Sequence, residues 1–133
     1  MLAMTFDHNL QEKDVKRIRT AVQTEASAKG LGPQQGFMLV FVVDELCCNV
    51  MEHGHAEWMD LRLEANGAGF RLTLTDNGIP FDAATEVQNA GGIDLSKTED
   101  RRMGLSMIGR LVDELRYERT SDGLNKVEMS KSF

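Results

Sequence analysis

No apolar run in this chain approaches the roughly 20 residues that a membrane-spanning helix requires. The opening Met1-Leu2-Ala3-Met4 has neither the length nor the basic stretch of a secretory signal. Cysteine is scarce: the only two, Cys47 and Cys48, are adjacent. Neighbours on a helix point in different directions, so a disulfide between them would strain the backbone, and a reducing cytoplasm is expected. Basic charge is also lacking. With a formal net charge of −6 and scattered Lys and Arg, the chain is not expected to bind nucleic acid directly, because such binding needs clustered cations against phosphates. Acidity does not exclude a nucleotide ligand, whose phosphates can be held by backbone amides and a metal ion. What is present is 133 residues with 41% hydrophobic and 27% charged content, which fits one globular domain over 1–133 that is not membrane-bound.

The apolar pattern predicts the elements in order. Leu2-Ala3-Met4-Thr5-Phe6 reads as a short strand. Leu10, Val15, Ile18, Val22 and Ala26 recur at near-helical spacing until Gly30 and Gly32 stop them. Pro33 suits the first turn of a second helix that would run to His53, with Phe37, Val40, Val43, Leu46, Cys47 and Val50 on its buried face. Trp58 to Ala65 and Phe70 to Thr75 alternate around Asn66-Gly67-Ala68-Gly69, which predicts a hairpin. From Gly78 to Arg102 the pattern dissolves into a long loop, the kind usually kept as a lid or binding segment. Leu105, Ile108, Leu111 and Val112 then suit a helix, and Glu114 to Arg119 with Leu124 to Lys131 form a second hairpin. The expected fold class is α+β: a two-layer sandwich with helices on one face of a mixed, mostly antiparallel sheet.

Glu45 and Asn49 stand four apart, on one side of a helix, and Glu52 continues the stripe. A carboxylate can accept a proton from an attacking nucleophile, and an amide oxygen can ligate magnesium. A solvated polar stripe has the same spacing. Asp76-Asn77-Gly78 leaves a strand, either as a plain turn or as a buried carboxylate that accepts from the amino group of adenine, with Gly78 letting the ring approach. Arg101-Arg102-Met103-Gly104-Leu105-Ser106 opens a helix whose free amides would attract phosphate, although the two arginines also fit an exposed loop end.

The order of these pieces resembles the GHKL, or histidine-kinase-like, ATPase family of gyrase, histidine kinases and MutL. More narrowly it resembles the bacterial anti-sigma factor serine kinases. The resemblance rests on Asp44-Glu45-Leu46-Cys47-Cys48-Asn49 through Gly54, on Asp76-Asn77-Gly78-Ile79-Pro80-Phe81-Asp82, on Gly104-Leu105-Ser106-Met107-Ile108, and on Gly123-Leu124-Asn125-Lys126-Val127. It implies the Bergerat-type ATP-binding fold as a stand-alone module, with a lid over about residues 83–102. Glu45 would be the catalytic base and Asn49 the magnesium ligand. Asn49, Glu52, Asp76, Gly78, Ile79, Pro80, Phe81, Arg101, Arg102, Gly104, Leu105, Ser106 and Asn125 would contact ATP or ADP.

By the same resemblance the chain would be a homodimeric anti-sigma factor. It would bind a sigma factor and phosphorylate a serine on an antagonist protein, thereby regulating transcription. Met103 and Ser106 depart from the glycines many relatives carry there. That departure motivates the alternative, a nucleotide-gated binding module without catalysis. A metal site at His53 and His55 lacks enough ligands, and thiols on an apolar helix read as core residues rather than nucleophiles.

Overall fold

A computed structural model describes the backbone of residues 1–90 and 102–133, and the side chains of these residues except 87–90 and 102–103. Its elements are β1 (Leu2–Phe6), α1 (Glu12–Ala28), α2 (Pro33–Asn49), a π-helical turn (Val50–Gly54), β2 (Met59–Asn66), β3 (Gly69–Asp76), α3 (Ala83–Ala90), α4 (Arg102–Leu111), β4 (Glu114–Arg119) and β5 (Asn125–Ser132).

The alternation of the strands decides the layers. Met59, Leu61 and Leu63 of β2, Phe70, Leu72 and Leu74 of β3, and Val127 and Met129 of β5 all face one side and are buried beneath the helices. The opposite side is polar, with Arg62, Thr73, Glu128 and Arg116 aligned in one row across four strands. Among the described residues the sheet is five-stranded in the order β1-β2-β3-β5-β4 and antiparallel at every pairing, where some parallel pairing was expected.

From the other layer, α1 contributes Val15, Ile18, Val22 and Ala26, spaced by three, four and four residues. Its first turn is closed by Asp14, whose Oδ2 accepts from the Gln11 amide at 2.9 Å. Its end turns on Gly30 at φ +85°, with the Leu31 amide donating to the Ala26 carbonyl at 3.0 Å.

Two further expectations fail. Phe37 does not join the buried face of α2 but is 76% exposed. At 100° per residue it stands about 200° around the helix from Leu39, opposite the Leu39, Val42, Val43 and Leu46 seam, and an apolar composition on all sides hid that phase. The segment from Gly78 to Arg102 is not wholly loop either, since it contains α3. Asp82 caps that helix: its Oδ1 accepts from the Thr85 amide at 3.0 Å and its Oδ2 from the Thr85 hydroxyl at 2.9 Å. Most of the expected lid, with Arg101, lies outside the described residues, as do the side chains of Arg102 and Met103.

The strand order has one consequence for the site. Because β5 enters between β3 and β4, Asp76 at the end of β3 pairs with Asn125 at the start of β5, and Asn125 pairs with Arg119 at the end of β4. Three strand ends converge below the end of α2.

Candidate functional site

A cleft opens where those strand ends meet the end of α2. Of the residues expected to contact a nucleotide, Asn49, Asp76, Ile79, Phe81 and Asn125 line it together. The remaining wall is largely apolar, from Leu46, Val50, Leu74, Ala83 and Val127. A polar group at the base of such a wall is costly unless it is hydrogen-bonded.

Asp76 meets that requirement. Its side chain is only 6% exposed, and its Oδ1 accepts from the Gly78 amide at 2.8 Å and from Asn125 Nδ2 at 3.0 Å. Among the described residues both bonds fall on Oδ1, leaving Oδ2 as the oxygen a ligand donor can use. Gly78 is required for its close approach: a Cβ there would overlap the carbonyl oxygen of Gly54 and crowd the Asp76 carboxylate. The Ile79 amide donates to the same Gly54 carbonyl at 2.9 Å, so the π-helical turn and the segment after β3 are tied together. Asn77 holds the outer side, its Oδ1 accepting from the amides of Glu57 at 2.8 Å and Trp58 at 2.9 Å.

Asn125 is the junction of this end. Its Nδ2 donates to the carbonyls of Ile79 at 2.8 Å and Gly78 at 3.4 Å as well as to Asp76. Its Oδ1 accepts from Tyr117 Oη at 2.6 Å, Arg119 Nη1 at 3.1 Å and the Phe81 amide at 3.3 Å. Tyr117 and Arg119 were missed from the sequence. Strand parity held the signal, because Leu115, Tyr117 and Arg119 alternate on one side of β4, and a charge at the end of that row needs a partner.

The helical side of the site is arranged differently. Asn49 faces the cleft, yet its Nδ2 is buried without a hydrogen-bond partner among the described residues, and so is Ser106 Oγ on α4. Each orphaned group costs on the order of 1–3 kcal/mol, a penalty that an oxygen-rich ligand would relieve. An amide turned about its last bond would present Oδ1 instead, which suits a hard cation. Glu45 sits one turn earlier on α2, outside the cleft lining, and its carboxylate is packed against Gly104: a Cβ on Gly104 would overlap it. Gly104 therefore makes a close approach to Glu45. Glu52 and Pro80 are exposed, and Leu105 is buried in the core. No three His, Cys, Asp or Glu among the described residues are grouped to hold a metal ion. Magnesium commonly takes one or two protein oxygens and completes its shell with phosphate and water, so the Asn49 side of the cleft fits that cation without such a cluster.

Their surroundings disfavour the thiolate form of Cys47 and Cys48. Burial pushes Cys47 far up and raises Cys48 to about 11, with the Asp44, Glu52 and Glu45 carboxylates adding to the shift and Arg19 opposing it. Arg19 itself bridges α1 to α2, with Nη2 2.6 Å from Asp44 Oδ1. No helix among the described residues is long and apolar enough to cross a membrane.

The fold is found among solved structures. The chain superposes on one chain of the structure of the SiaB–SiaC complex from Pseudomonas aeruginosa with a TM-score of 0.66 at 16% identity, over 98% of this chain and 89% of that one. It superposes on the catalytic domain of the histidine kinase ThkA, in a nucleotide-free form, with a TM-score of 0.52 at 10% identity, over 99% and 98%. No curated protein matches the sequence. Residues 9–131 match the family described as the histidine kinase-like ATPase domain, and with nearly its whole length inside that match the chain belongs to this family.

Proposed function

We propose that the chain binds magnesium ATP in this cleft and transfers the terminal phosphoryl group to a serine of a small antagonist protein, while also holding a sigma factor as a cytoplasmic homodimer. The observation that carries the nucleotide reading is Asp76, fixed by two donors on Oδ1 at the base of an apolar cleft. Oδ2 then accepts from the amino group of adenine, with Ile79 and Phe81 beside the ring. Asn49 offers its amide to the cation, and Gly104, Leu105 and Ser106 bring the first turn of α4 to the phosphates. Magnesium neutralises charge on the phosphates when bound. Glu45 takes the proton of the serine hydroxyl as its oxygen attacks and ADP leaves. The two-protein assembly of the SiaB–SiaC neighbour supports a protein partner for this fold.

A second reading, nucleotide-gated protein binding without transfer, is favoured by one feature: the Glu45 carboxylate is packed on Gly104 rather than lining the cleft. The first test is a melting-temperature titration with magnesium ATP. At about 100 times Kd the ligand should stabilise the fold by roughly 2.7 kcal/mol, and Asp76→Ala should abolish the shift. No shift in the unaltered protein sinks the nucleotide reading. Labelled phosphate appearing on an antagonist serine, and lost in Glu45→Gln with the melting shift retained, separates the kinase from the binding module.

A further inference from the structure

We propose that Tyr117 and Arg119 are positioning residues that set the base preference of the cleft, by fixing which end of the Asn125 amide faces Asp76. This rests on the nucleotide reading above. An amide is nearly symmetric in shape, and only its neighbours decide which end is oxygen. Asn125 is 2% exposed, so water does not decide it.

On one side stand three donors: Tyr117 Oη at 2.6 Å, Arg119 Nη1 at 3.1 Å and the Phe81 amide at 3.3 Å. On the other stand three acceptors: Asp76 Oδ1 at 3.0 Å and the carbonyls of Ile79 at 2.8 Å and Gly78 at 3.4 Å. A turned amide would set its oxygen against the Asp76 carboxylate and its NH2 against a guanidinium. Arg119 matters most here, since a hydroxyl can also accept but a guanidinium cannot. It also donates to the Gly78 carbonyl at 3.0 Å and so braces the same turn.

The consequence reaches the ligand through Asp76. With Oδ1 held by Gly78 and Asn125, the carboxylate meets the ligand as an acceptor. It favours a 6-aminopurine and opposes a 6-oxopurine, whose carbonyl would face it. If the amide turns, Asp76 loses a donor and gains a repelling oxygen, and the discrimination weakens although neither Tyr117 nor Arg119 touches the base.

The test measures Kd for ATP and for inosine triphosphate, its 6-oxo analogue, together with melting temperature, on the full chain. The unaltered protein should prefer ATP by about 100-fold or more. Tyr117→Phe combined with Arg119→Gln should narrow that ratio by about tenfold through weaker ATP binding alone, the worth of one charge-assisted hydrogen bond. Tyr117→Phe with Arg119→Lys, which keeps a donor, should recover most of the ratio. Equal weakening of both nucleotides, or an unchanged ratio in the paired variant, would overturn the proposal while leaving the nucleotide site standing. An unaltered protein that binds neither nucleotide, or both alike, would overturn the adenine reading itself and this proposal with it.

Discussion

The two ends of the cleft are built on opposite plans. At the sheet end each polar group has a partner before any ligand arrives: Asp76, Asn125, Tyr117 and Arg119 form one connected set of hydrogen bonds. On the helical side, Asn49 Nδ2 in the cleft and Ser106 Oγ on α4 are buried without partners among the described residues, and Glu45, outside the cleft lining, leans on Gly104. Strands paired in register fix their ends to within a hydrogen bond, whereas two helices meeting side on leave their polar residues to whatever comes between them. The sheet end is suited to selecting a ligand and the helical end to rearranging around one.

Alanine substitution at the two close-approach glycines would expose the contrast. Gly78→Ala drives a methyl group into the Gly54 carbonyl, which is backbone and cannot step aside. It should cost about 2 kcal/mol, seen in thermal melts, and abolish the nucleotide-induced shift. The contrast breaks if this variant melts and binds normally. Gly104→Ala meets only the far end of a flexible side chain, the Glu45 carboxylate. Its melting temperature and ATP affinity should stay near normal, while, on the proposal that Glu45 is the base, phosphoryl transfer falls by roughly tenfold to 100-fold because Glu45 is displaced.

The smallest effect concerns Cys48, whose raised pKa of about 11 comes first from burial and then from the Asp44, Glu52 and Glu45 carboxylates. Alkylation at neutral pH should be slow, rising as the pH approaches 11, and Glu45→Gln should speed it slightly by removing one of those charges. A thiol whose ordinary value is 9.0 and whose folded value is higher contributes fully below 9.0, and that contribution is lost as the pH rises through 11.

Much of this was legible in the residues. The hairpins and α1 follow from strict alternation and from three-four spacing between stop signals, both local patterns. The phase of α2 did not, because Phe37 and Phe41 make that helix apolar on its outer side too. The helix α3 escaped because Asp82 and Thr85, which cap it, sit among residues whose composition favours turns. Asp76 was reached from its motif and Asn125 only through the family resemblance. That they meet is a property of strand order, which no local window contains. Tyr117 and Arg119 stayed hidden for the same reason, since their role exists only once β5 lies beside β4.

That insertion of β5 between β3 and β4 also governs when the site can exist. Asp76 and Asn125 are 49 residues apart, so the sheet end of the cleft closes only after a long loop has been drawn in and the C-terminal hairpin has docked. A chain carrying only the first hairpin and the helices would lack the Asp76–Asn125 pair at the sheet end of the cleft. A nucleotide bound there, as proposed, would act on the late side of the barrier, slowing unfolding of the finished protein without hastening its assembly.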